Sequence, residues 1–280
     1  MRRPVVLVLA LVVAAQVAVA ATLSAQKEDA ESQAWRLEGL RKGFCVQLLM
    51  DPASKALEEL PAGYRAVPAS EATDLHVSLR AVVEGQPEFA SWSPSRLCFN
   101  SVDTVRTDEF ILGDKSGRRP QLFASWTVLA AGPGGPPGEV ALNLFSNSDR
   151  LIRSARLTGL RVREARLSVG PVPIEDENGV PSSDERFQVK VGKTTVTWDG
   201  RLARDSSAAR EPFRLAWVAS SERGGVATGE LVLSAVTERP MAGSLKVEGK
   251  DAFAKALRAS PTRFAGPAYQ GGEGSVSLHR

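Results

Sequence analysis

Short runs of alternating apolar and polar residues follow one another along most of this 280-residue chain, and that succession limits the fold more than any other feature. Phe44–Met50, Asp74–Val83, Arg96–Val105, Glu109–Leu112, Gln121–Ala131 and Glu139–Phe145 each read as a strand. So do Leu160–Val169, Arg186–Val191, Thr194–Trp198, Phe213–Ala219, Gly229–Glu238, Met241–Glu248 and Ser275–Leu278. Mostly turns separate them. A parallel α/β sheet needs a helix between most strand pairs, and only a few short helices can be placed here. The expected fold is therefore mostly β, of the α+β kind: curved antiparallel sheets forming a cone-like barrel or a sandwich.

The turns carry the details. Gly132 to Gly138 is flanked on both sides by strand-like runs, which predicts a long hairpin loop rather than a domain linker. Gly192-Lys193 between Arg186–Val191 and Thr194–Trp198 predicts a two-residue hairpin, and Asp199-Gly200 a further turn. Helices are expected at Ser54–Leu60 and at Asp251–Arg258, with Asp251 near the start of the second. The tetrad Phe89-Ala90-Ser91-Trp92 recurs as Phe123-Ala124-Ser125-Trp126, a single echo too short to argue a structural repeat.

The chain opens with Arg2 and Arg3 and an apolar run from Pro4 to Leu23 that only Gln16 interrupts, and Ala18-Val19-Ala20 places small residues where a signal peptidase reads them. Residues 1–20 are thus expected to be a signal peptide cleaved near Ala20, with Ser24-Ala25 a later option; an uncleaved membrane anchor is the alternative reading. An exported protein, periplasmic or extracellular, is expected, with no membrane span after signal cleavage. Residues 21–42 form a polar lead-in, read as a short helix over 26–42, and residues 43–280 a single β-rich domain. Without its leader the chain carries 33 basic and 32 acidic residues, from 35 and 32 in the whole. This balance gives no electrostatic case for a nucleic-acid partner, which requires a concentrated basic face.

Cys45 and Cys98 are the two cysteines, each in a short apolar run, and in an exported chain they suggest one disulfide; two buried thiols packed as small hydrophobes are the alternative. With His76 and His279 as the two imidazoles and no Cys-x-x-Cys, no metal site is expected. Gly-x-Ser-x-Gly is missing as well, so a Ser-His-Asp arrangement has little support, and His76 reads as a polar strand residue.

One stretch allows a helix, its stop and a strand to be read together. From Ser148 to Leu157, apolar Leu151, Ile152 and Ala155 share a helix side opposite Asp149, Arg150, Arg153 and Arg156. Asn147 or Ser148 can cap its start and Gly159 its end, after which Leu160 to Val169 continues as a strand. Asn147, Leu151, Arg156, Gly159 and Ala165, in this order and spacing, resemble the corresponding stretch of acetoacetate decarboxylase-like domains, and Leu60-Pro61-Ala62-Gly63-Tyr64 is similar to the segment that precedes their barrel strands.

The resemblance implies a barrel whose interior is faced by Leu160, Val162, Glu164, Arg166 and Ser168, with the family's Schiff-base lysine mapping to Val162. Valine cannot form an imine, and the flanking Arg161 and Arg163 stay protonated. With the leader, the resemblance thus implies an exported, non-catalytic protein that binds a small organic ligand, a carboxylate or a ketone, through Val162, Glu164 and Arg166, with no cofactor. Its alternative is an enzyme of the same fold in which Glu164, Arg166, Lys190 or Lys193 acts on a small carbonyl or carboxylate substrate. A salt bridge between Glu164 and Arg166 that satisfies itself is the alternative for that pair.

Overall fold

In the computed structural model of this chain, the residues described are 32–73, 77–113, 120–171, 184–202, 208–209, 213–222, 224–234, 237–260, 263–264, 267–270 and 273–279. The expected signal peptide, residues 1–20, and His76 lie outside them. The fold is mostly β, with three short α-helices among the described residues. Strand β1 (Ser32–Met50) pairs antiparallel along its length with β2 (Ser93–Arg106), β2 with β3 (Gln121–Ala131), and β3 with β4 (Pro137–Ser146). The hairpin loop 132–136 joins β3 to β4, as its flanking runs indicate.

After β4 the chain makes the helix α2 (Asp149–Leu157), β5 (Val162–Glu164), β6 (Arg166–Pro171), β7 (Asp184–Val191) and β8 (Thr194–Leu202). It then continues through β9 (Phe213–Ser220), β10 (Val226–Ser234), β11 (Thr237–Glu248), α3 (Ala252–Ala259) and β12 (Glu273–His279). A ring of pairings closes: β4 pairs parallel with β9, β9 antiparallel with β10, β10 with β12, and β12 with the first third of β1. A second antiparallel group, β6-β7-β8-β11, is tied to β1 through the short strand Pro267–Gln270.

Two main cores result, both lined by the β1–β4 sheet. Leu97, Phe99, Trp126, Val128 and Phe145 face Phe187, Val189, Trp198 and Leu245 of the second group, with Phe253 and Leu257 of α3 closing the space. Trp35, Leu37, Leu160, Val162, Leu231, Val276 and Leu278 make the other core inside the ring, beneath Leu151, Ile152 and Ala155 of α2. β1 is long enough to serve both. Gly39, with φ 68° beside a register shift between Leu40 and Lys42, bends it between them, and a Cβ there would come within 2.5 Å of Asp103 Oδ2.

Four sequence expectations change. The lead-in expected as a helix over 26–42 is strand from Ser32, because Trp35 and Leu37 alternate with Arg36 and bury in the ring. The strand expected at 74–83 is instead helix α1 (Val77–Gly85), whose Leu79 and Val82 bury with Val83 in a small third cluster with Leu49, Val67 and Leu129. Leu79, Val82 and Val83 fit the helical period as well as the alternating one, and the packing partner decides. Asp199-Gly200 is no turn: Gly200 pairs with Gly243 of β11 inside β8, and the missing side chain lets the strands approach.

The fourth is the strand over 160–169, which breaks at Ala165. Its first part, β5, pairs parallel with β4, and its second, β6, pairs with β7 in the other group. The helix at Ser54–Leu60 is a 3-10 turn, Lys55–Glu59, with Ser54 as its cap. The two Phe-Ala-Ser-Trp tetrads differ in structure, one in strand β3 and the other at the 3-10 turn Pro87–Phe89, so they form no repeat.

Candidate functional site

The site forms where α2 meets the ring. Ser148 caps α2 through Leu151 N–H (3.5 Å), and Asp149 and Arg156 lie at the helix ends that favour their charges. Gly159, at φ 80°, turns the chain so that Leu160 N–H donates to Ala155 O at 3.2 Å, a left-handed stop that directs β5 straight back under the helix. Leu160 and Val162 then point into the ring, 0% and 7% exposed.

Beneath them is a chamber with a volume of about 80 Å³ for the centre of a water-sized sphere, room for more than one water. Leu151 and Ala155 of α2 roof it, and Leu144, Phe145 and Ser146 of β4 stand beside Val162. Trp217 of β9, Leu231 of β10 and Val276 and Leu278 of β12 form the far wall. Trp35 of β1 closes one side, held by the hydrogen bond its Nε1 donates to Ser154 Oγ of α2 at 3.1 Å. The Trp217 ring lies against Gly229, where a Cβ would meet Cζ2 at 2.4 Å.

The lining is apolar with few exceptions. Ser146 Oγ accepts from Ser148 N–H at 3.1 Å and is thereby engaged. Asn100 of β2 and Ser125 of β3 also line the chamber, and neither side chain has a hydrogen-bond partner among the described residues. They are diagonal neighbours on one face, since Asn100 stands opposite Phe123 and Cys98 opposite Ser125. Beside them on the same face, Cys45 and Cys98, paired across β1 and β2, form a disulfide with Cα atoms 4.0 Å apart. Among the described residues, no ionisable side chain lines the chamber.

Of the residues expected to face the interior, Val162 does and Glu164 and Arg166 do not: both are exposed. The inward positions move from Leu160 and Val162 to Ala165, Leu167 and Val169, because the segment leaves one core and joins the other. Ala165 N–H donates to Ser146 O at 3.0 Å, fixing the crossing point. Glu164 instead borders a surface pocket of about 300 Å³ with Asp149, Arg153 and Arg156. Arg161 reaches Glu59 at 3.4 Å, and Arg163 donates to Asn143 Oδ1 at 2.9 Å, surface or near-surface roles for both. Lys190 and Lys193 are exposed on the β7–β8 hairpin.

Sequence reasoning did not single out Asn100, Ser125, Trp35 or Trp217. The available signal was a polar residue inside an apolar strand run, Asn100 after Leu97-Cys98-Phe99 and Ser125 within Phe123-Ala124-Ser125-Trp126. Elsewhere on the β2–β4 sheet, Arg96 donates to Glu139 Oε1 at 2.6 Å and Thr127 donates to the other carboxylate oxygen, with both charged side chains less than one-fifth exposed and Arg96 Nε buried without a partner. Arg186 forms a two-point pair with Asp199 at 2.7 and 2.8 Å, and that hydrogen bonding raises its pKa. Neither pair borders the chamber.

Solved structures share this fold at low sequence identity. The chain matches the enduracididine biosynthesis enzyme MppR, complexed with pyruvate, at TM-score 0.53 and 12% identity over 89% of each chain. An acetoacetate decarboxylase from Legionella pneumophila matches at TM-score 0.50 and 12% identity, over 89% of this chain and 86% of that one. The fold is acetoacetate decarboxylase-like. No protein-family model and no curated protein matches the chain.

Proposed function

We propose that this chain is an exported, non-catalytic protein that binds a small organic molecule in the chamber between α2 and the β ring. The observation that carries the reading is Val162: it stands in the chamber wall, 7% exposed, where the resemblance places the amine of a Schiff-base enzyme. A cavity that has lost the nucleophile and kept its walls can hold a ligand without forming an imine with it. Export is supported by the leader over residues 1–20. The pyruvate in the MppR complex makes small carbonyl compounds the first probes. The enzyme alternative needs Glu164, Arg166, Lys190 or Lys193 at a bound substrate, and all four are exposed outside the chamber.

Both halves of the proposal are read from one preparation. The full chain, expressed with its leader, is recovered from the exported fraction and analysed by mass spectrometry before and after treatment with pyruvate or acetone plus borohydride. The expected product begins at Ala21 and gains no reduced-imine mass. A stoichiometric adduct on any lysine overturns the non-catalytic reading, and a full-length product retained in the cell overturns export.

A further inference from the structure

The chamber's lining also restricts the chemistry of its ligand, and this step rests on the binding reading above. Its walls are hydrocarbon and aromatic on the Val162, Leu231, Val276 and Leu278 side. The opposite side presents Asn100 and Ser125 together, an amide and a hydroxyl with no partner among the described residues. No ionisable group among those residues faces the interior. We propose that the ligand is an uncharged molecule with a hydrocarbon frame and one carbonyl oxygen, and that Asn100 and Ser125 hydrogen-bond that oxygen.

The physical argument has two parts. A carboxylate entering this chamber would give up its hydration and meet neither a cation nor a dipole array large enough to replace it. A ketone loses far less on entry. Asn100 offers two N–H donors and Ser125 one O–H, and donors left without a partner in a largely apolar space favour a ligand that brings an acceptor. Their separation is fixed by the β2–β3 ladder, and the Cys45–Cys98 disulfide ties β2 to β1 beside them, so the polar end is preorganised.

Three molecules test this: cyclohexanone, its isostere methylenecyclohexane, and cyclohexanecarboxylate, which carries a carboxylate on the same six-membered ring. Dissociation constants are measured by calorimetry at neutral pH for the exported protein and its Asn100→Leu and Ser125→Ala variants. Cyclohexanone is expected to bind about three- to tenfold more tightly than the hydrocarbon, the worth of a neutral hydrogen bond. Cyclohexanecarboxylate is expected to bind at least about tenfold more weakly than the ketone. In N100L the preference for the ketone should disappear while the hydrocarbon still binds, which a misfolded variant would not show. A ketone preference that survives both substitutions, or a carboxylate that binds as well as the ketone, overturns the ligand class and leaves the chamber as a binding site. Absence of binding by all three overturns the chamber reading together with this one.

Discussion

Val162→Phe tests whether the chamber is a void that the fold holds open. Val162 is buried in β5, paired with Leu144 of β4, and phenylalanine is at least as good a strand former as valine, so backbone preference is not at issue. The substitution adds about four carbons. At about 0.8 kcal/mol per buried methylene-sized group the gain reaches at most about 3 kcal/mol, and ordering a larger side chain removes up to about 1 kcal/mol of it. The chamber, about 80 Å³ for water-sized centres, gives the ring somewhere to go. The expected net is therefore zero to about 2 kcal/mol of added stability, or a rise in Tm of about 2–4 °C per kcal/mol for a protein of this size. Were the space already packed, the same ring would cost about 1–3 kcal/mol in forced rotamers and backbone shifts. The two cases differ in sign. Thermal and urea unfolding of V162F against the parent, with cyclohexanone binding measured on both, decides between them: a stable variant that no longer binds is expected. A loss of more than about 1 kcal/mol refutes the void, and a stable variant that still binds the ketone refutes its use.

Reduction of the Cys45–Cys98 bridge removes a cross-link between residues 53 apart and should cost about 4 kcal/mol in the chain-entropy model, seen as a lower urea midpoint with dithiothreitol; an unchanged midpoint would show that the ladder alone holds the two strands. Gly159→Ala forces a Cβ onto a residue at φ 80° and to within 2.3 Å of Ser221 Oγ, so about 1–2 kcal/mol of destabilisation is expected from the left-handed backbone alone. Gly85→Ala, where a Cβ meets nothing within 4 Å, should be neutral or stabilising by up to about 1 kcal/mol, and equal losses at both glycines would discount the special role of Gly159.

Much of the fold was legible because its signals are local. The extent of β3, the β3–β4 hairpin, the Gly192-Lys193 turn, and the caps of α2 and α3 follow from turn chemistry and short-range hydrogen bonds. The misread elements depend on what lies across from them. Leu79, Val82 and Val83 become a helix because Leu49, Val67 and Leu129 offer a patch that a helix covers. Gly200 continues a strand because Gly243 lies opposite and neither brings a side chain. Trp35 and Leu37 belong to the core although charged residues surround them in sequence, since β12 and β2 flank them on either side. Composition around a strand does not report its partners.

The candidate site divides along the same line. The alternation along 160–169 predicts two faces with Val162 inward, and Val162 is buried in the chamber wall. What the sequence does not contain is the point at which the covering changes. A strand running between two cores shows one face to the first and the opposite face to the second, so a strict period of two describes the whole strand and still misplaces half of its side chains relative to a site. Here the change falls between Val162 and Ala165. The valine at the amine position and the outward Glu164 and Arg166 therefore have a common consequence: β5 brings no charge into the chamber. On the proposed reading, polar contacts to a ligand come from Asn100 and Ser125, on the long central strands β2 and β3, with Trp217 Nε1, buried without a partner, the further donor among the lining residues. Binding through such neutral groups would respond to ligand shape and hydrogen bonding, and would not depend on protonation near neutral pH as an active-site amine does.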